Sequence, residues 1–276
     1  MADRVWLVTG ASRGIGAELA TSILAAGDKL VATARTLQGL EHLGASGNLL
    51  PVVLDVTNEA QAKDAVQAAL ARFGHVDILV NNAGICLLGA VEESSAEEVE
   101  RLYRTNVFGL LNITRALLPS MRQRRAGHII NISSVAGYSA YAGFGIYSST
   151  KFAVEGLTEA LHVELAPLGI HVTVVEPGFF RTDILDCNKS LMTTTARIKD
   201  YDGTAGAMRD VVPGFSHHQP GDPAKLARAL IELANTANPP LRLPLGPDTL
   251  AKMSEKNALV QIETETWRGL AASTNY

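Results

Sequence analysis

Tyr147 and Lys151 are four residues apart in the run Tyr147-Ser148-Ser149-Thr150-Lys151, and their side chains could form an acid-base pair. On a helix this spacing places both side chains on one face, about one turn apart. A free phenol titrates near pH ~10, and a neighbouring ammonium group favours the phenolate and lowers that pKa. Because proton transfer is most efficient when the pKa lies near the working pH, the pair predicts acid-base chemistry. The alternative is a chance pair on a solvated helix.

A glycine turn, defined here as residues 9–16, follows the apolar run at residues 5–8. A strand that breaks into such a turn and then a helix, predicted at residues 17–26, presents backbone N–H groups and the positive helix end to an anion. The pyrophosphate of a dinucleotide fits that description. The first gap between glycines is two residues longer than in G-x-G-x-x-G, so a plain strand-to-helix turn that uses glycine for positive φ stays an alternative.

Strands that alternate with helical segments must position these groups. Strands are predicted at residues 5–8, 29–34, 49–54, 78–80, 128–132, 171–175 and 241–245. Several are rich in Val, Ile and Leu without polar alternation, which is typical of strands covered on both faces. Helices are predicted at residues 58–72, capped by Thr57 or Asn58, and at residues 96–122, ending soon after Pro119. The pattern predicts an α/β fold, a single doubly wound (Rossmann-type) domain over residues 1–276 with a seven-stranded, mostly parallel sheet and helices on both faces.

Five motifs in order give the chain a resemblance to the short-chain dehydrogenase/reductase family, over roughly residues 4 to 185. The matching residues are Thr9, Gly10, Gly14, Ile15 and Gly16; Asn81-Asn82-Ala83-Gly84; Asn131-Ile132-Ser133-Ser134; the Tyr147 and Lys151 pair; and Pro177-Gly178 with Thr182.

The resemblance implies a catalytic set of Asn106, Ser134, Tyr147 and Lys151. In the family, the tyrosine exchanges a proton with the carbonyl or alcohol oxygen while a hydride moves to or from nicotinamide. Ser134, 13 positions before Tyr147, would hydrogen-bond the carbonyl oxygen and stabilise its developing charge. Lys151 would lower the pKa of Tyr147 and hold the nicotinamide ribose. Asn106 would interrupt a helix and hold a water that passes protons towards Lys151; the alternative is a polar residue tolerated at a helix kink.

The resemblance also implies a set of cofactor contacts, at Gly10, Ser12, Arg13, Gly14, Ile15, Gly16, Arg35, Asp55, Val56, Asn82, Ala83, Gly84, Tyr147, Lys151, Pro177, Gly178 and Thr182. Asp55 matches the acid that binds the adenine amino group, with capping of the next helix as the alternative. The second strand ends without the acid that binds a ribose 2'-hydroxyl in NAD-specific members. Arg13 and Arg35 could instead clamp a 2'-phosphate, which predicts NADP(H). Two solvated surface charges are the alternative.

Composition excludes several other classes of function. A formal net charge of -4 without a polybasic block gives no support for binding to nucleic acid or an anionic membrane. The two cysteines, Cys86 and Cys187, form no disulfide framework and suit a reducing cytosol, so we expect a cytoplasmic protein. The first strand leaves no room for a signal peptide, and no apolar run reaches the ~18 residues that span a bilayer. The histidines lack ligand spacing, and His217-His218 is read as a loop, so no metal is expected.

The substrate side of the site is less specific. Phe179 and Phe180 are expected to line it together with Leu87, Leu88, Val135 and Tyr141, although packing alone could explain these residues. Cys86 is read as a small buried hydrophobe. Residues 184–221, called here the substrate-covering segment, have several glycines and few long apolar runs. We expect the segment to be mobile without ligand, and Leu191 and Met192 to influence substrate preference. The segment lacks a basic cluster, which favours an apolar or aromatic ketone over an acyl-carrier protein.

Together these features predict an NADPH-dependent carbonyl reductase with a small carbonyl or alcohol substrate. A homodimer or homotetramer is expected from the family, with residues 147–165 packed against a second subunit. An NAD-dependent alcohol dehydrogenase of the same fold is one alternative. A dinucleotide-sensing regulatory protein without turnover is another, and the complete catalytic set argues against it.

Overall fold

Nine β-strands form two parallel sheets within residues 3–276, which a computed structural model describes. The strands are β1 (Val5–Val8), β2 (Lys29–Ala34), β3 (Leu49–Val53), β4 (Ile78–Asn81), β5 (Cys86–Leu88), β6 (Gly127–Ile132), β7 (Ile170–Pro177), β8 (Leu191–Thr193) and β9 (Arg242–Leu245). The central sheet has the order β3-β2-β1-β4-β6-β7-β9, and β5 pairs with β8 outside it. The seven predicted strands are all present in the central sheet. The doubly wound α/β prediction is therefore confirmed.

Eight α-helices connect the strands within the same described range. They are α1 (Gly14–Ala25), α2 (Glu59–Phe73), α3 (Ala96–Tyr103), α4 (Gly109–Arg124), α5 (Gly145–Leu165), α6 (Ala207–Phe215), α7 (Pro223–Asn235) and α8 (Pro247–Ala272). Asn58 caps α2 by accepting hydrogen bonds from the backbone of the first turn. Ser95 and Glu98 form a capping box at the start of α3. The first helix begins at Gly14, three residues before its predicted start, so the end of the glycine turn is itself helical.

Hydrophobic residues cover both faces of the central sheet. On one face, α1 and α7 pack against β1, β2 and β4 through side chains that include Leu19, Ile23 and Leu230. On the other face, α2, α4 and the end of α5 pack through side chains that include Val66 and Leu117. Because the strands are buried on both faces, their apolar runs show no polar alternation. The polar groups of the site therefore lie beyond the strand ends.

The helical stretch predicted at residues 96–122 is interrupted at Asn106, as the family resemblance implies. A π-helical turn at Arg104–Phe108 separates α3 from α4, and Asn106 lies inside this turn with only 2% of its surface exposed. The extra residue in a π turn redirects side chains and often occurs at functional sites. Pro119 is accommodated inside α4, which continues to Arg124.

The substrate-covering segment has more structure than its composition predicts. Its strand β8 pairs with β5, and its Leu185, Leu191 and Val212 join Cys86 and Leu88 in a third apolar cluster. Strands of three residues carry too little periodicity to be recognised in the sequence. The segment is therefore attached to the body of the protein by both backbone pairing and apolar packing.

The last helix, α8, was not predicted. It is 26 residues long, and residues 257–276 are all exposed. Its N-terminal half contacts the site, because Asp248 accepts a hydrogen bond from the backbone N–H of Phe179 at 2.7 Å and Asn257 accepts one from Tyr138. Across residues 3–276, no helix combines the length and the apolar character required to cross a membrane.

Candidate active site

A cavity of about 700 Å³ lies at the carboxyl ends of the central strands, where the order of the sheet reverses between β1 and β4. Ligands of doubly wound folds bind at this place. The glycine turn forms one part of its wall, and aromatic and aliphatic side chains form another. All predicted site residues except Gly16 and Asn106 line this cavity.

Tyr147 and Lys151 occupy the first two turns of α5 and face the cavity together. The ammonium nitrogen of Lys151 lies 5.8 Å from the ring centroid of Tyr147. It donates a hydrogen bond to the backbone carbonyl of Ile132 at 2.9 Å, which ties α5 to the end of β6. The predicted pairing of the two side chains on one helix face is present in the structure.

The pKa values of this pair differ from the sequence expectation. Burial raises the pKa of Tyr147 more than a hydrogen bond with Ser134 lowers it. Burial also lowers the pKa of Lys151 to about 8. The expected lowering of the Tyr147 pKa by Lys151 is therefore wrong for the protein alone, because desolvation penalises both charged forms. At neutral pH the phenol carries its proton, and most of the lysine is an ammonium ion.

The two consecutive serines after β6 both border the cavity, but their side chains have different neighbours. Ser134 lies beside Tyr147 and also accepts a hydrogen bond from the backbone of Ala136 at 3.1 Å. Ser133 is 3% exposed and its hydroxyl approaches Gly137, where an added Cβ would lie 2.5 Å away. This arrangement agrees with the choice of Ser134, rather than Ser133, as the hydroxyl beside the proton donor.

Asn106 lies behind the cavity wall. Its side-chain amide donates to the backbone carbonyl of Ile85 at 2.9 Å and to the hydroxyl of Thr150 at 3.1 Å, and its oxygen accepts from the backbone N–H of Ile85 at 2.9 Å. The asparagine thus joins the start of β5 to α5. A Cβ added at Gly84 would be 3.5 Å from the Asn106 oxygen and 3.8 Å from the Lys151 nitrogen. The asparagine therefore holds the backbone beside Lys151.

The glycine turn has the form of an anion cradle. Gly10 and Gly14 have φ values of +69° and +55°, which L side chains rarely adopt. An added Cβ at Gly16 would lie 2.2 Å from the carbonyl oxygen of Gly10, so the turn closes only with glycine there. Asn82 supports the turn from β4, because its amide donates to the carbonyls of Thr9 and Gly10 at 2.9 Å and 3.1 Å. The N-terminus of α1 opens into the cavity, and these residues fit the pyrophosphate of a dinucleotide.

The residues expected around the adenosine border the same cavity. Asp55 accepts hydrogen bonds from the backbone and the hydroxyl of Thr57 at 2.9 Å and 2.8 Å. Because Asn58 caps α2, the alternative reading of Asp55 as the helix cap is wrong. Arg35 is exposed, whereas Arg13 donates to the hydroxyl of Ser190 at 2.9 Å. Both guanidinium groups border the cavity.

The apolar part of the cavity differs in part from the prediction. Val135, Tyr141, Phe179 and Phe180 line it as expected. Leu87 and Leu88 do not, because each is 1% exposed within β5. Leu191 and Met192 are also absent from the wall. Sequence reasoning missed Phe144, Ile184, Leu185 and Met208, and it treated Cys86 only as a buried residue. These residues come from four separate segments, so no local pattern could bring them together.

His217 lies in a loop, as predicted, and its ring contacts two carboxylates. Its ring nitrogen lies 3.3 Å from a carboxylate oxygen of Asp186 and 3.8 Å from one of Asp183, and the three groups approach within 4.8 Å of one another. Lys189 pairs with Asp183 at 3.0 Å. These contacts connect the two ends of the substrate-covering segment and the residue just before it.

Solved structures of similar fold contain nicotinamide cofactors. A short-chain dehydrogenase/reductase from Burkholderia phymatum in complex with NAD has a TM-score of 0.82 and 28% identity, with 95% of this chain and 97% of that chain covered. The NADP-bound structure of ElxO has a TM-score of 0.74 and 28% identity, with 91% and 100% covered. Structural neighbours therefore bind either nucleotide.

Comparisons over the whole chain agree with the site. A short-chain dehydrogenase from Streptomyces avermitilis has a TM-score of 0.92 and 40% identity, with 100% of both chains covered. Oxidoreductase BOA17 of Botryotinia fuckeliana is 33% identical over 98% of this chain and 99% of its own length. The 3-ketodihydrosphingosine reductase of Bacteroides thetaiotaomicron is 37% identical over 90% and 89%. The family model for short chain dehydrogenases matches residues 4–191. The chain is therefore an oxidoreductase of the short-chain dehydrogenase family.

Proposed function

We propose that the protein is an NADPH-dependent carbonyl reductase that converts an apolar or aromatic ketone to a secondary alcohol. The observation that carries this proposal is the presence of Ser134, Tyr147 and Lys151 in the wall of the same cavity as the glycine turn. A proton donor, a hydroxyl that stabilises an oxyanion and a dinucleotide cradle are the parts that carbonyl reduction requires.

Each side chain of the site has a separate role in the proposed reaction. Because burial raises its pKa, Tyr147 is protonated at neutral pH and can donate its proton to a carbonyl oxygen. Ser134 donates a hydrogen bond to the same oxygen and stabilises negative charge as it develops there. The ammonium of Lys151 holds the ribose hydroxyls and stabilises the phenolate that remains after proton transfer. When bound, the cofactor supplies the hydride in reduction or accepts one in oxidation. Asn106 positions the backbone beside Lys151.

The preference for NADPH is supported by Arg13 and Arg35. The second strand ends at Ala34 without an acid, and two guanidinium groups border the adenosine end of the cavity. A 2'-phosphate would find charge-assisted hydrogen bonds there, whereas a 2'-hydroxyl would find no carboxylate from β2. Asp55 stays the proposed acceptor for the adenine amino group.

An apolar ketone is supported by the opposite end of the cavity. Phe179 packs edge to face against Tyr141 and Phe215, with ring centroids 6.0 Å and 5.3 Å apart. Met208 and Leu185 add flexible and aliphatic surface. One relative is named for its reduction of 3-ketodihydrosphingosine, a ketone. These features favour a substrate whose carbonyl is attached to apolar groups.

The substrate-covering segment, residues 184–221, closes this end of the cavity in the proposed enzyme. Arg209 from α6 forms an ion pair with Glu93 and donates to the hydroxyl of Thr194 at 2.8 Å. Because the Arg209 and Glu93 side chains are 9% and 0% exposed, this contact holds the segment against the loop after β5. We propose that ligands order the parts of the segment that border the cavity.

Self-association is supported by exposed apolar side chains on one side of the molecule. Phe152 and Val163 on α5 are 43% and 72% exposed, and Phe108 beside α4 is 51% exposed. We propose a homodimer or homotetramer that covers this surface. Light scattering at micromolar concentration should give a multiple of 29.3 kDa, and a monomeric mass would contradict the proposal. A cytoplasmic location stays a prediction.

Two alternatives keep some support. An NAD-dependent alcohol dehydrogenase is compatible with the NAD-bound structural neighbour. A dinucleotide-sensing regulatory protein would not need the complete set of Ser134, Tyr147 and Lys151. The decisive experiment is a panel of ketones and alcohols with NADPH, NADH and their oxidised forms, followed by the absorbance of the reduced nicotinamide. Turnover of apolar ketones with NADPH supports the proposal. Turnover only with NAD and alcohols supports the first alternative, and cofactor binding without turnover supports the second.

A further inference from the structure

A buried pair of carboxyl groups lies directly behind Lys151. Glu155 follows Lys151 by one turn of α5 and is 5% exposed. Glu176, near the end of β7, is 0% exposed. One guanidinium nitrogen of Arg242, on the neighbouring strand β9, donates to Glu155 at 2.5 Å and to Glu176 at 2.7 Å. Two acidic side chains from different elements therefore share one cationic donor.

The pair has fewer donors than two ionised carboxylates require. The second guanidinium nitrogen of Arg242 donates to Glu159, at the edge of the cluster. The remaining oxygen of Glu155 has only a neutral donor, the hydroxyl of Ser133, and among residues 3–276 the remaining oxygen of Glu176 is buried without a donor. Burial, the charge of Glu155 and contact between the two carboxyls raise the pKa of Glu176 to about 7. One proton shared between the two groups satisfies this geometry, because adjacent buried carboxylates do not both ionise easily.

The pair is also directed towards the catalytic lysine. The hydroxyl of Ser133 and one oxygen of Glu155 both face Gly137, where an added Cβ would be 2.5 Å and 3.0 Å from them. Lys151 donates to the carbonyl of Ile132, the residue next to Ser133. The charge of Glu155 acts against the burial that lowers the Lys151 pKa. Glu155 therefore interacts with the ammonium group directly, and Glu176 acts on it through Glu155.

Groups from several neighbouring elements determine the charge around Lys151 and the carboxyl pair. Lys151 and Glu159 belong to α5, and Arg242 belongs to β9. The ring of Tyr138 lies 5.8 Å from the guanidinium carbon of Arg242. Cys86 of β5 faces Lys151, but burial raises its pKa and keeps it a neutral thiol at neutral pH. The carboxyl pair is therefore the neighbouring group whose charge changes near neutrality.

We propose that Glu155 and Glu176 are positioning residues that share one proton and, by releasing it as the pH rises through neutrality, keep Lys151 in its ammonium form. The proton leaves one carboxyl oxygen for solvent, and the pair gains one negative charge. That charge opposes the loss of the lysine proton. The enzyme thereby keeps its activity at alkaline pH. This inference rests on the carbonyl reductase activity proposed above.

The kinetic test compares pH profiles of kcat/KM for ketone reduction. Glu176→Gln and Glu155→Gln carry an amide that cannot ionise. On the alkaline limb of the profile, kcat/KM should therefore fall at a pH about one unit lower than in the parent. Activity near pH 6, where the parent pair still holds its proton, should change less than at pH 9. Glu159→Gln removes an exposed acid from the same arginine and is the matched control, with an unchanged limb. Unchanged limbs in both buried variants, verified as folded by circular dichroism, would overturn the proposal.

A second measurement does not require turnover. A carboxyl group whose folded pKa is raised holds a proton that the unfolded chain has lost, so it makes the folded state less stable as the pH rises from about 4.3 to about 7. Thermal unfolding of Glu176→Gln should therefore lose less stability over this range than the parent. An identical slope would exclude the shared proton, even if no ketone is reduced. If the dependence of stability on pH changes but the alkaline limbs of the kcat/KM profiles do not, the carboxyl pair does not act on Lys151. Absence of ketone reduction in the parent would instead overturn the proposed function.

Discussion

Replacing two residues at the end of β2 should convert the cofactor preference from NADPH to NADH. Ala34 and Arg35 both border the cavity, and Arg35 is exposed. The double variant Ala34→Asp with Arg35→Ser removes a cation expected to contact the 2'-phosphate. It also introduces a carboxylate that repels this phosphate and can accept a hydrogen bond from a free 2'-hydroxyl.

The structure sets the size of this effect. A charge-assisted hydrogen bond contributes about 1.5–3 kcal/mol, and every 1.4 kcal/mol is about tenfold in affinity. Because Arg35 is exposed and screened by salt, its loss should cost about tenfold in kcat/KM with NADPH. A carboxylate at position 34, where Ala34 is 5% exposed, should add a comparable change in favour of NADH. The ratio of the two specificity constants should therefore change by about 100-fold, and by at least tenfold.

The assay measures kcat/KM for NADPH and NADH with one ketone held at saturation. Arg228→Ser is the matched control, because Arg228 is exposed on α7 and does not border the cavity. This control should leave both values unchanged. The reasoning is refuted if the parent uses NADH as well as NADPH, or if the ratio in the double variant stays within threefold of the parent ratio.

Three further predictions concern the cradle and the substrate-covering segment. Gly16→Ala places a Cβ 2.2 Å from a backbone carbonyl of the glycine turn, so NADPH affinity measured by fluorescence should fall at least tenfold. Gly269→Ala is the control, because Gly269 has open space around it, and NADPH affinity should stay unchanged. Arg209→Met leaves the carboxylate of Glu93 buried without its partner, and the free energy of unfolding should fall by about 3–5 kcal/mol in denaturant titrations; an unchanged value would show that the pair is dispensable. Hydrogen exchange in residues 184–221 should slow when cofactor and ketone are bound, and equal protection in both states would contradict a ligand-ordered cover.

The sequence was sufficient to predict the central sheet because its signals are local. Each strand is an apolar run bounded by turn residues, and the glycine turn requires residues without a Cβ at fixed positions. The Tyr147 and Lys151 pair was equally accessible, because a spacing of four on a helix determines a common face. These features depend on fewer than ten consecutive residues.

Other parts of the site depend on contacts between distant residues and could not be predicted. The cluster of Glu155, Glu176 and Arg242 comes from α5, β7 and β9, and no spacing in the chain relates its members. The short strands β5 and β8 depend on pairing with each other and on apolar packing between residues far apart in the chain. The direction of the Tyr147 pKa shift also needed the structure, since burial outweighs the neighbouring charge.

The long final helix illustrates a different limitation. Residues 257–276 are exposed, so α8 lacks the apolar stripe by which a surface helix is usually recognised. Its contacts with Phe179 and Tyr138 are made by Asp248 and Asn257, two polar residues without a periodic signal.

The central claim is that Tyr147 donates the proton in ketone reduction, and Tyr147→Phe tests it most directly. The variant keeps the ring but loses the hydroxyl, so kcat should fall by about 10²- to 10⁴-fold. NADPH affinity, measured by fluorescence, should stay within about threefold because the glycine turn and Lys151 are unchanged. Tyr276→Phe removes an exposed hydroxyl that does not border the cavity and should retain its activity. A Tyr147→Phe variant that binds NADPH and keeps more than about a tenth of the parent kcat would contradict the account.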